Sequence, residues 1–81
     1  MTPLELFNLF TEFGIEFEML SIKTSYLCDG KVLAVWSLKV KTWQFDELLI
    51  DVLLDKTELS WTYGRLGKGF YFVNFYFMKG V

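Results

Sequence analysis

The sequence predicts an α+β domain in which a four-stranded, mainly antiparallel sheet carries two helices on one face. Two segments repeat apolar residues at helical spacing, and four others alternate as strands do, in the order αββαββ. The last strand segment holds six aromatic residues in eight positions, Phe70 to Phe77, so it is apolar on both sides. The 81 residues make a single domain, 1–81, just large enough to bury a core without disulfides or metal.

Each element has its own signals. Thr2-Pro3-Leu4-Glu5 opens a helix over about residues 2–13: threonine caps, proline suits the first turn, and Glu5 completes a capping box. Leu6, Leu9, Phe10 and Phe13 share a face, and Gly14 suits the stop. Ile15 to Met19 alternates as a strand, but the phase slips near Met19-Leu20, which a bulge or a break in the strand explains. The strand runs on to Cys28, and Asp29-Gly30 predicts a two-residue hairpin. Lys31 to Lys41 returns as strand two, with Ala34, Trp36, Leu38 and Val40 toward the core and Leu33, Val35, Ser37, Lys39 and Lys41 away from it.

Thr42 is positioned to cap a second helix running to about Asp55. Phe45, Leu48, Leu49, Val52 and Leu53 form its central stripe, which Trp43, Ile50 and Leu54 widen. Gln44, Glu47, Asp51 and Asp55 make a narrow polar ridge. Strand three follows from Glu58 to Gly64, with Leu59, Trp61 and Tyr63 on one side. Arg65 to Lys68 then turns the chain into strand four.

A right-handed crossover from strand two to strand three leaves a one-strand gap that strand four can fill, giving the order 1-2-4-3. The two most apolar strands are then central. This is a circularly permuted ferredoxin-like sheet; two αββ units side by side are the alternative. With both helices on one face, the other bears Lys68, Phe70, Phe72, Asn74, Tyr76 and Met78 beside Leu33 and Val35. The acids concentrate in residues 1–22 and 42–58 and the bases in the strand segments, which predicts an acidic helical layer and a basic sheet.

Composition excludes several functions. There is no histidine and one cysteine, so neither a zinc ligand set nor the usual general base is available. Glu5, Glu12, Asp46, Glu47, Asp51 and Asp55 fall on predicted helix surfaces and read as solvation, so no enzyme activity and no cofactor are expected. No apolar run has membrane-spanning length, and no basic segment precedes an apolar one at the N-terminus. With the lone Cys28, these features predict a soluble cytoplasmic chain. A hydrophobic fraction of 53%, with 20% aromatic, is a heavy load for so small a body and favours a protein partner or a homodimer.

Lys68-Gly69-Phe70-Tyr71-Phe72-Val73-Asn74-Phe75 resembles the ribonucleoprotein octamer of the RNA recognition motif at seven of eight positions. The resemblance implies that Lys68 meets phosphate and that Phe70 and Phe72 stack on bases of single-stranded RNA. Tyr71 departs from the pattern, standing where that family has Gly or Ala, and a net charge of −2 opposes backbone binding.

The expected function is therefore a small protein-binding module, of the kind a phage or mobile element uses to inhibit a host or defence protein. Its aromatic sheet face (Phe70, Phe72, Tyr76, Met78, Leu33, Val35 and Lys68) is one contact surface. Helix two (Trp43, Glu47, Ile50, Asp51, Leu54 and Asp55) is the other, suited to a basic groove in a nucleic-acid-handling partner. Single-stranded nucleic-acid binding and a structural homodimer are the alternatives.

Overall fold

The computed structural model describes residues 2–48 and 59–79. Along the chain these form α1 (Pro3–Glu12), β1 (Phe17–Tyr26), β2 (Val32–Lys41), α2 (Thr42–Leu48), β3 (Ser60–Arg65) and β4 (Phe70–Lys79). The strands make one antiparallel sheet in the order β1-β2-β4-β3, as expected.

The α1 boundaries follow from local chemistry. Thr2 Oγ1 accepts the Glu5 amide at 3.2 Å, and the Thr2 hydroxyl reaches the Glu5 carboxylate at 3.3 Å. The carboxylate thus engages the hydroxyl, whereas a full capping box would have it take the Thr2 amide. At the other end Gly14 has φ +69°, Ile15 N–H donates to Phe10 O at 2.8 Å and Gly14 N–H to Thr11 O at 3.1 Å. That is the Schellman pattern, and Phe10 and Ile15 are buried together beneath it.

The phase slip in β1 is a bulge. Met19 pairs with Leu38 and Ser21 with Ser37, leaving Leu20 as the extra residue. Beyond it Ile22, Thr24 and Tyr26 rejoin the face of Phe17 and Met19. The β1–β2 hairpin differs from the expected two-residue turn. Gly30 N–H donates to Leu27 O and Leu27 N–H to Lys31 O, so the loop is Cys28-Asp29-Gly30. A two-residue type I′ turn needs positive φ at both central residues, and here only Gly30 has it, at +83°.

Thr42 begins α2 as a helical residue and not as its cap, and its amide donates to Gly69 O at 2.9 Å. Gln44 also departs from expectation. It is buried, not on a solvated ridge: its Oε1 accepts the Glu16 amide at 3.2 Å and its Nε2 donates to Gly14 O at 3.1 Å. The helix therefore rolls Gln44 inward and Trp43 outward, clamping α2 to the link between α1 and β1. The expected continuation of this helix to Asp55 lies outside the described residues.

Both helices cover the same side of the sheet. Phe7 of α1 stacks on Phe17 at 5.0 Å and meets Trp36 at 5.4 Å, while Phe10 meets Phe75 edge-on at 5.9 Å. Phe45 of α2 stacks on Tyr71 at 4.5 Å and touches Tyr63 at 4.9 Å. The core they seal centres on Leu38, Val40, Val73 and Phe75. Each such side chain contributes roughly 1.5–3 kcal/mol by leaving water. No described helix is long and apolar enough to cross a membrane.

Candidate functional site: the open face of the sheet

Strand alternation decides what the opposite face carries. Its centre is the β2–β4 ladder, where Leu33 lies opposite Met78, Val35 opposite Tyr76, Ser37 opposite Asn74, Lys39 opposite Phe72 and Lys41 opposite Phe70. Six of the seven residues expected on the aromatic face therefore share it. Lys68 does not: it is exposed in the β3–β4 turn, between Gly67 and Gly69, which both have positive φ.

The face divides into three bands. Leu33, Val35, Tyr76 and Met78 form an apolar patch at one end, with Met78 58% exposed. A polar waist follows: Ser37 Oγ donates to Asn74 Oδ1 at 2.6 Å, Asn74 Nδ2 donates to Thr62 Oγ1 at 3.2 Å, and Thr62 shares a hydrogen bond with the Tyr76 hydroxyl at 3.1 Å. Phe70 and Phe72 form the second apolar patch. The Lys39 ammonium lies 4.5 Å from the Phe70 ring centroid, a cation–π contact. A shallow recess of about 220 Å³ opens here among Glu16, Glu18, Lys39, Lys41 and Phe70.

Phe72 owes its position to a glycine. Gly64 is its cross-strand neighbour, and a Cβ built there would stand 2.5 Å from Phe72 Cζ. The missing side chain lets the ring lie flat over the adjacent strand. Gly64→Ala should swing Phe72 outward and cost about 1–2 kcal/mol. Thermal melting should then drop by several degrees, with altered Phe72 ring chemical shifts as the local readout.

The charge layering is weaker than the sequence predicts. Glu18 and Glu16, counted with the acidic segment, sit on the open side and pair with Lys39 and Lys41, each at 2.9 Å. The centre of the sheet is thus locally neutralised, not basic. Of the helix-two residues, Trp43 is 65% exposed and Glu47 is exposed. Ile50, Asp51, Leu54 and Asp55 lie outside the described residues.

Phe70 and Phe72 point to the open face, but Tyr71 is stacked on Phe45 and Trp36 faces the helices, so β2 adds no aromatic ring to the open face. Sequence reasoning missed the hydrogen-bonded waist, the Gly64 platform and the two Lys–Glu pairs. Only the strand register brings their members together, although the in-phase polar positions Ser37, Thr62 and Asn74 were a partial signal. No protein-family model, curated protein or solved structure matches this chain.

Proposed function

We propose that this chain is a non-enzymatic protein-binding module that engages its partner through the open sheet face. The observation that carries the reading is the gathering of Phe70, Phe72, Tyr76, Met78, Leu33 and Val35 opposite the helical layer, around a polar waist. Aromatic anchors amid hydrogen-bonding groups are the usual make-up of an interface centre. Trp43 and Glu47 on α2 supply a second, smaller contact surface. A module without chemistry of its own acts by occupying a surface, as an inhibitor of phage or mobile-element type does. The exposed free thiol of Cys28 suits a reducing, cytoplasmic setting. The strand order supports reading the connectivity as αββαββ, a circularly permuted ferredoxin-like sheet.

Protein is favoured over single-stranded nucleic acid. Lys39 and Lys41 are each engaged by a glutamate, Lys68 lies off the face, and among the described strands only β4 turns rings to it. The test is affinity capture from the native host, followed by binding measurements with the captured protein. Phe70→Ser and Met78→Asp, one from each patch, should weaken that binding by about 30-fold or more, the mark of a hot spot. Equal binding by both variants would sink the reading. Salt-sensitive micromolar binding of single-stranded RNA by the native chain would move it to the nucleic-acid alternative.

A further inference from the structure

β1 stands at an edge of the sheet, and no strand among the described residues pairs with its outer side. Unpaired edges template association, so natural edge strands tend to be short, charged or proline-bearing. This one is ten residues long without proline, and it bears Met19, Leu20, Ile22 and Tyr26, half of the eight exposed large hydrophobics among the described residues. The bulge at Leu20 interrupts its first half. Ser21–Tyr26 is left as a regular run, paired without a break to β2.

The hairpin shows which backbone groups look outward. Leu27 donates its N–H to Lys31 and accepts from Gly30 with its carbonyl, so both of its polar groups face the hairpin partner. Antiparallel strands alternate, and therefore Tyr26, Thr24 and Ile22 direct theirs away from β2. We propose that this edge pairs antiparallel with the same edge of a second copy, about a twofold axis through Thr24.

The run is self-complementary in that register, which is what names a second copy as the occupant. Ile22 lies opposite the partner subunit's Tyr26, an aromatic–β-branched pair that covers the most exposed ring of the strand, 84% accessible. Thr24 meets the partner's Thr24, a pair that shares hydroxyl hydrogen bonds, and Lys23 meets the partner's Ser25, so no like charges stand directly opposite. Residues paired across an antiparallel ladder share a face, so the twofold axis runs perpendicular to the sheet. The two four-stranded sheets become one, and both aromatic faces point the same way. The dimer is then bivalent toward any partner of that face.

Sedimentation equilibrium of the full chain, from low to high micromolar concentration, tests this. The native chain should approach twice its 9.6 kDa mass. Thr24→Pro deletes an outward N–H without removing any β1–β2 bond, and Ile22→Lys places a charge in the seam. Both should be monomers with native circular dichroism. In a Cys28→Ser background, Thr24→Cys should cross-link under mild oxidation, because directly opposed hydrogen-bonded residues lie about 5.5 Å apart, within disulfide range. If Thr24→Pro does not fold, Ile22→Lys decides. A native chain that stays monomeric overturns the proposal. So does a dimer unaffected by Ile22→Lys, and one dissolved by Met78→Asp instead would be joined face to face. Partner capture plays no part in these readouts, so failure here leaves the face reading standing.

Discussion

Phe75→Ala should remove about half of the chain's folding stability. Phe75 is fully buried on a central strand, flanked across the ladder by Trp36 and Trp61 and met edge-on by Phe10 from α1. Truncating such a ring removes its transfer free energy and leaves a cavity between two layers, a loss of about 3–5 kcal/mol. A domain of this size has only about 4–12 kcal/mol in total. Urea unfolding should show the midpoint fall to about half its native value. Phe72→Ala, three residues earlier on the opposite face, is the internal comparison and should cost no more than about 2 kcal/mol. Equal losses at the two positions would mean that the open face is as enclosed as the core.

Gln44→Leu is the second large effect. The substitution fits the volume and is more apolar, so a simple hydrophobic account predicts no loss. The side chain, however, is the partner of two backbone groups from the α1–β1 link: the Glu16 amide and the Gly14 carbonyl. Leucine would remove both hydrogen bonds; Gly14 and Glu16 are themselves exposed, so water takes up part of the loss and each bond is worth about 0.5–1.5 kcal/mol. We expect a total loss of about 1–3 kcal/mol, with Gln44→Glu also destabilising because a carboxylate has no donor to offer Gly14. Amide exchange at Glu16 is the specific readout. It should quicken sharply in Gln44→Leu, and unchanged protection there would show that the side chain is a passenger.

These two residues mark where the fold was legible in the sequence and where it was not. Phe75 could be placed only once both helices were put on one face, because the strand is apolar on both sides; its polar positions Lys68 and Asn74 then fall in the opposite phase to Phe75. The bulge at Leu20 and the stop at Gly14 were also readable, each being a local phase break or a backbone requirement. Gln44 was not. A helical wheel puts a polar residue outside unless a partner is known, and its partners are 28 and 30 positions away in the chain. The hairpin loop departs from the expected two-residue turn for a related reason. Asp29-Gly30 is a good two-residue turn in isolation, but the pairing of two ten-residue strands sets the closing residues, and the loop takes what remains. The charges of Glu16 and Glu18 belonged by segment to the helical layer, yet Glu18 lies directly across the ladder from Lys39. Of the candidate site, the aromatic members were legible and their separation into bands was not, since Ser37, Asn74 and Thr62 gain meaning only side by side.

That separation has a consequence for recognition. The linked hydroxyls and amide already satisfy one another, so a visiting molecule gains little by bonding to them and loses by stripping their water. The surface is therefore two greasy patches either side of a hydrophilic saddle. A visitor that reaches both must arch over the middle or bring its own polar rung, whereas a single bulky anchor can rest on one patch and leave the other vacant.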